Sequence, residues 1–203
     1  MKLYRAESAL FEELLRHPGV EEVVELRSRF GFMAFHGGLE GGTETIAREA
    51  AEAAGASVYA VVQPATLRWH VPSHQVTPDY SDALAAFLDH VDVAVAVHGY
   101  GRRDRVNHLL LGGQNRDLAT HVAARLRPAL PEFEIIDDLD AVPPEMRGVH
   151  RDNPVNRPRR GGVQLELPPR ARGASPSPAD WGKECTPTPG LVAALAEAAT
   201  SWE

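Results

Sequence analysis

The segment Phe35-His36-Gly37-Gly38-Leu39-Glu40-Gly41-Gly42-Thr43 places an imidazole, a glycine pair and a carboxylate within one tight turn. Imidazole and carboxylate are good zinc ligands, provided they converge to about 2.0–2.2 Å from the ion. A glycine-rich turn can bring residues so near in sequence onto one metal. Glycine costs conformational entropy, so a cluster of four needs a reason. Val97-His98-Gly99-Tyr100-Gly101 has the same form, an apolar run ending in His and then Gly. Taken singly, His36 reads as a strand cap, Glu40 as a solvated turn residue and His98 as a core histidine bonded to a backbone carbonyl. Two apolar runs that each end in His-Gly are less easily coincidence. Together His36, Glu40 and His98 make a three-ligand set of the kind catalytic zinc sites use, with the fourth position left to water. A metal there would acidify that water and polarise a carbonyl.

Glu166 stands in Gly162-Val163-Gln164-Leu165-Glu166-Leu167. Alternation puts Val163, Leu165 and Leu167 on one face and Gln164 and Glu166 on the other. A carboxylate in an apolar strand is costly unless paired or working, so Glu166 is a candidate general base. The alternative is an edge strand with Glu166 in solvent. Arg102, Arg103 and Arg105 follow His98, and Arg116 closes Gln114-Asn115-Arg116. Asn153, Asn156, Arg157, Arg159 and Arg160 precede the last strand. Guanidinium forks bind carboxylates in pairs of hydrogen bonds. On an acidic chain such clusters point to an anionic substrate; they would read phosphate equally well, and a solvated basic face is the plain alternative. His70 and His74 lie in Arg68-Trp69-His70-Val71-Pro72-Ser73-His74. Either could steady an oxyanion or touch substrate, or serve the loop. His17, His90, His108, His121 and His150 read as structural. Ser175 and Ser177 do not form a nucleophile elbow, and Cys185 is in a poor context for a catalytic thiol.

These residues must be held by the elements around them. Helical spacing of Leu10, Phe11, Leu14 and Leu15 predicts a helix over 6–16, with Ser8 as its cap. Apolar runs predict strands at 31–36, 57–63 and 92–98, the last covered on both faces. Further strands are expected at 105–111, 133–136 and 162–167. Helices are expected at 43–54, stopped by Gly55, at 81–90, capped by Ser81, at 114–127, stopped near Pro128, and at 190–202. Prolines make 64–80 and 138–161 irregular, and 168–188 is Pro-, Ser- and Arg-rich and reads as mobile. Alternating strands and helices imply one α/β domain over 1–203, three-layered, with a mostly parallel or mixed sheet and helices on both faces.

A chain of 203 residues can bury a core without staples. Its net charge of −7 argues against a general nucleic-acid binder. One cysteine excludes an internal disulfide and a Cys-rich metal site. No membrane span and no signal peptide are legible, so a cytoplasmic protein is expected, although release by lysis would leave no mark.

In this order the motifs resemble the phage-type poly-γ-glutamate hydrolase family. They are His36-Gly-Gly-Leu-Glu40-Gly-Gly-Thr43, His98-Gly, Arg103-Asp104-Arg105, Leu111-Gly-Gly-Gln-Asn-Arg116-Asp-Leu-Ala119, Asn153-Pro-Val-Asn156-Arg157 and Gly162-Val-Gln-Leu-Glu166-Leu. The likeness runs from about residue 30 to 167. It implies a fold related to zinc carboxypeptidases, with Zn2+ held by His36, Glu40 and His98 and with Glu166 as the base. It also implies that Arg105, Arg116 and Arg157, with Asn115 and Asn156 beside them, bind an anionic, glutamyl-type substrate; His74 is a second catalytic candidate. The family usually has one more residue between its first His and its Glu, so Glu44 is an alternative ligand. The activity implied is hydrolysis of an amide near a carboxylate. Other readings are a zinc deacylase or esterase for small N-acyl amino acids, and a non-catalytic phage accessory protein that binds phosphate.

Overall fold

A computed structural model describes residues 9–175, 177 and 182–203, so the Ser8 cap lies outside the described residues. Seven strands form one sheet: β1 (Glu21–Glu25), β2 (Phe30–Gly37), β3 (Ser57–Val62), β4 (Val93–Gly99), β5 (His108–Leu111), β6 (Glu134–Ile136) and β7 (Gly162–Leu167). Their order is β1-β3-β2-β4-β7-β5-β6. The four central strands β3, β2, β4 and β7 run parallel. β1 pairs antiparallel with β3, and β5 antiparallel with β7. The sheet is therefore mixed around a parallel centre, and the strands at that centre are the ones that bury both faces.

Among the described residues six helices cover it: α1 (Ala9–Arg16), α2 (Thr43–Ala54), α3 (Asp82–His90), α4 (Arg116–Ala129), α5 (Pro169–Arg172) and α6 (Leu191–Thr200). α2, α4 and α6 pack on Phe32, Ala34, Val93, Val95, Val97, Val163, Leu165 and Leu167. Phe11 and Leu14 of α1 and Leu84 and Phe87 of α3 pack on the other face, against Met33, Phe35, Tyr59, Ala94 and Ala96. Each large side chain fully buried in these layers contributes roughly 1.5–3 kcal/mol. Ser81 caps α3 by accepting from the Leu84 amide at 2.8 Å, and Gly55 stops α2 in the left-handed conformation, both as expected. Pro128 falls inside the last turn of α4, and the helix ends one residue later.

Three elements depart from the sequence reading. The strand expected at 105–111 begins only at His108, because Arg103–Arg105 form a 3-10 turn. β1 was not foreseen. Three of its five residues are Glu, which suits an edge strand where one flank meets water. The 168–188 segment, read as mobile, holds α5, and its last residue, Arg172, is buried.

The parallel centre carries the chemistry-bearing residues to one edge. β4 and β7 are in register with His98 opposite Glu166. β2 needs a further device. Phe30, Phe32 and Ala34 face the α2 layer and Met33 and Phe35 face the α3 layer, so strict alternation would send His36 to the α2 side. Between Ala34 and Gly37 the pairing with β3 slips, three steps on β2 matching two on β3 (Ala34↔Ala60, Gly37↔Val62). This is a bulge, which turns side chains off their alternation. It leaves His36 beside Phe35 and His98 on the α3 side.

Candidate metal centre

The turn after β2 decides whether Glu40 reaches His36. The Glu40 amide donates to His36 O at 2.9 Å, and Thr43 N donates to Glu40 O at 3.2 Å. The four-residue spacing thus forms one helix-like turn, which stacks the two side chains. His36 Nδ1 lies 3.0 Å from Glu40 Oε1. Gly38 makes this turn feasible: its φ is +75°, and a Cβ there would sit 1.8 Å from Gln63 O. Glu44, the alternative ligand, is not in the His36–Glu40–His70 cluster, and its Oε2 is buried with no hydrogen-bond partner among the described residues.

The other Glu40 oxygen, Oε2, accepts from the Gly99 amide at 2.8 Å and lies 3.6 Å from His98 Nδ1. One carboxylate therefore faces both imidazoles by their Nδ1 atoms. Bonds of about 2.0–2.2 Å in a tetrahedral zinc site put neighbouring ligand atoms about 3.3–3.5 Å apart, and the observed 3.0 and 3.6 Å bracket that. His36 Nε2 bonds Val71 O at 2.8 Å. A carbonyl can only accept, so Nε2 carries a proton, and Nδ1 is the nitrogen turned toward Glu40. An imidazole that gives its second N–H to a carbonyl is the usual setting of a metal-bound histidine. His98 has no such support, since its Nε2 is buried and unpartnered among the described residues. The Phe35 ring stacks edge-on against both imidazoles, at 5.0 and 4.8 Å, and seals the inner side.

His70 joins this group more closely than its sequence context suggested. Its ring lies 4.8 Å from that of His36. Ligand atoms of His36, Glu40 and His70 all fall within 4.8 Å of one another, a cluster able to hold a metal ion. Gln63 delivers the loop: its side chain donates to Trp69 O and accepts from Trp69 N, both at 2.8 Å, just before His70. His70 is exposed, whereas His36 and His98 are 2% and 3% exposed. That places it at the mouth of the site rather than in its floor.

Charge in the site is tightly balanced. Burial alone would lower the His36 imidazole, but the Glu40 carboxylate overrides it and holds it above its ordinary value. Burial would raise Glu40, yet the two histidines hold it far below the usual carboxylate range. Glu166 goes the other way. It is 7% exposed, and burial pushes it up while His98 partly opposes. Gln164 Nε2 donates to Glu166 Oε1 at 2.8 Å, which fixes one oxygen and leaves Oε2 for other work. Asn153 Nδ2 donates in turn to Gln164 Oε1 at 2.8 Å. The edge-strand alternative for Glu166 does not hold, because β7 lies between β4 and β5.

An open cleft of about 610 Å³ is lined by His36, Glu40, His98 and Glu166, with His70, His74 and His150 at its rim. His74 is exposed and stacks on His150 at 5.0 Å. The motif residues assigned to substrate take other positions. Asn115 accepts from Leu118 N and caps α4. Arg116 donates to the carbonyls of Leu111, Gly113 and Asp137. Asn156 accepts from Gln114 N and donates to Gly148 O and His150 O. Arg105 sits in a 3-10 turn whose carbonyl accepts from Tyr100. Arg157 is exposed, and none of these five lines the cleft. Asn115→Ala is accordingly expected to cost about 1 kcal/mol through the lost cap, a melting shift of roughly 2–4 °C, with KM unchanged. A raised KM at unchanged melting temperature would return Asn115 to the substrate.

A second, larger groove shares Glu40, His70, Gly99 and Tyr100 with the cleft and is lined by Arg68, Arg102, Arg103 and Lys183 together with Glu44, Glu49 and Glu184. The cleft itself has no Arg or Lys in its lining among the described residues. Arg172, which sequence reasoning missed, stands behind Glu40 in this groove. Its one sequence signal was Arg in a Pro-rich stretch, which says nothing of burial.

The family model for poly-gamma-glutamate hydrolase matches residues 9–175. Among solved structures, the bacteriophage poly-gamma-glutamate hydrolase superposes with a TM-score of 0.70 at 25% identity, covering 90% of this chain and 86% of that one. A zinc-free form of YNDL gives 0.67 at 23% identity, over 89% of this chain and 87% of that one, which is a likeness of fold. The SPbeta prophage-derived protein YoqZ of Bacillus subtilis (strain 168) is 28% identical over 133 residues. That match takes in 64% of this chain and 45% of YoqZ, so the chain spans under half the length of this curated relative.

Proposed function

The chain belongs to the poly-γ-glutamate hydrolase family, and from that premise we propose that it is a zinc-dependent hydrolase of amide bonds in γ-glutamyl or similar carboxylate-bearing substrates. The observation that carries the reading is the donor set. His36 is held by Val71 with Nδ1 turned to the Glu40 carboxylate, and His98 faces the same carboxylate. Nitrogen and carboxylate donors at these separations suit zinc. The fit lies in the donor set itself: two imidazole nitrogens converge on one carboxylate at 3.0 and 3.6 Å, close to the spacing of neighbouring zinc ligands.

A zinc ion held by His36, Glu40 and His98 would supply Lewis-acid polarisation of the scissile carbonyl and bring an attacking water within reach of ionisation at neutral pH. The chain's own groups do the rest. Glu166, with Oε1 held by Gln164, takes the proton from the attacking water at Oε2 and passes it to the leaving nitrogen. Its raised proton affinity suits the second half of that transfer. Phe35 closes the inner wall against water. His70, at the mouth, is placed to meet the developing oxyanion or the ion itself. His74 lies further out on the same rim, where contact with substrate is the role its position allows.

Placement of the cations suggests how an anionic substrate lies. The scissile amide would sit over Glu40 and His98, with a substrate carboxylate reaching toward Arg102 and Arg103 in the mixed-charge groove and a less charged portion in the cleft. Purified protein should contain about one zinc per chain and should shorten poly-γ-glutamate, with chelation stopping the reaction and zinc restoring it. Zinc without cleavage of any γ-glutamyl amide would remove the substrate and keep the site. Absence of zinc, with full activity in chelator, would remove the mechanism.

A further inference from the structure

α5 ends in a buried cation that the proposed reaction leaves unused. Arg172 is 5% exposed, and its side chain donates to three main-chain carbonyls: Nε to Leu167 O at 3.2 Å, Nη1 to Gly41 O at 2.5 Å and Nη2 to Tyr100 O at 3.4 Å. Gly41 follows Glu40, Leu167 follows Glu166, and Tyr100 stands two residues past His98. Each bond lands on a different one of the three chain segments that bring the site together.

The chain makes room for this contact. A Cβ at Gly99 would sit 2.5 Å from the Arg172 guanidinium carbon, so only glycine after His98 lets the guanidinium pass. Gly42 approaches Arg172 O within 2.9 Å of where its own Cβ would be, at a φ of +88°. Burying a guanidinium costs several kcal/mol, and an apolar side chain would fill such a space more cheaply. Burial accordingly weakens the hold on its proton, with Glu40 opposing. Three carbonyls and a nearby carboxylate offset that cost. A fork with donors fixed in one plane can reach three acceptors together, which a single ammonium cannot do at the same spacing.

We propose that Arg172 is a positioning residue: one guanidinium ties the chain just past Glu40, His98 and Glu166 and so sets the spacing of the metal ligands and the base. This rests on the metal-site reading above. Groups that orient ligands from behind typically carry a factor of about 10–100 in metal affinity or activity.

The test uses the full chain with Arg172→Lys and Arg172→Ala, measured in two arms. In metal-free protein, hydrogen exchange at the Glu40, Gly99 and Tyr100 amides should quicken together in both variants, while amides in the middle of β2 and β4 stay protected. In the second arm, zinc affinity by competition with a chelating dye should fall about 10–100-fold in both, and low, non-denaturing guanidinium should restore part of it in Arg172→Ala. Unchanged exchange at those three amides overturns the proposal, as does wild-type zinc affinity in both variants. Loss of protection throughout the sheet in both variants also overturns it, because Arg172 would then hold the core and not the site. If the wild-type chain bound no zinc, the metal reading would fail, and the exchange arm would still decide the role of Arg172.

Discussion

His98→Ala is expected to lose the metal while the metal-free protein keeps its fold. Roughly 10–16 kcal/mol of binding shared over four ligands is about 3 kcal/mol per ligand, or roughly a 100-fold loss in affinity. Turnover at ordinary zinc concentrations should drop at least as far. His98 Nε2 is buried without a partner among the described residues, an arrangement that costs about 1–3 kcal/mol in the native state. Truncation relieves that cost and so offsets part of the cavity left against Phe35. His36→Ala should lose the metal equally but be much less stable without it. It removes the bond to Val71 O and strips Glu40 of its nearest countercharge. Breaking a buried pair on one side costs roughly 3–5 kcal/mol; Glu40 is 13% exposed, so the lower end is expected. Zinc titration and thermal melts of the two metal-free variants check both halves. Equal melting temperatures would mean that the His36–Glu40 pair does not contribute as described, and retained zinc in His98→Ala would move the third ligand to His70.

Glu166→Gln is expected to keep zinc affinity within a few-fold and lose turnover by about 10²–10⁴, the usual worth of a positioned general base. The substitution preserves shape, and its amide oxygen can still accept from Gln164. Removing a buried charge that burial already disfavours should leave the melting temperature level or raise it. KM should change little, because the carboxylate acts on the attacking water and the leaving nitrogen. A variant with full rate on a confirmed substrate would end the base assignment. A variant that lost zinc would make Glu166 a ligand.

Much of this was legible in residue types and order. The apolar runs that became β2, β3 and β4 read as buried strands, and the two-sided run of β4 reads as a central one; for β7, whose alternation also suits an edge, only the sheet order shows that it lies inside. Glycines at 37–38 and 41–42 marked a tight turn between His36 and Glu40. β1 was less legible, because an edge strand tolerates Glu and so lacks an apolar signature. The polar motif residues were less legible, for a general reason. Asn115, Arg116 and Asn156 carry donors and acceptors suited to substrate, but loop backbone needs the same groups, and sequence does not say which claim wins. Arg172 sat where Pro and Ser suggested mobility, and its burial depends on residues 41, 100 and 167, all remote in the chain.

The amino-acid sequence by itself determined the strand-helix alternation, the His-Gly ends of two central strands, the four-residue His36–Glu40 spacing and the carboxylate on β7, because each is a matter of local period and local chemistry. Only the tertiary structure decided that these groups share a face. β4 is apolar on both sides, so its pattern could not say which way His98 turns. On β2, simple alternation would have sent His36 to the opposite layer, and it is the bulge against β3 that turns it back. Register with β7 then set Glu166 opposite His98, and the fold brought His70 and Arg172 to the same place. Facing, register and the approach of distant loops are set by packing between elements, a quantity that no single segment of the chain contains.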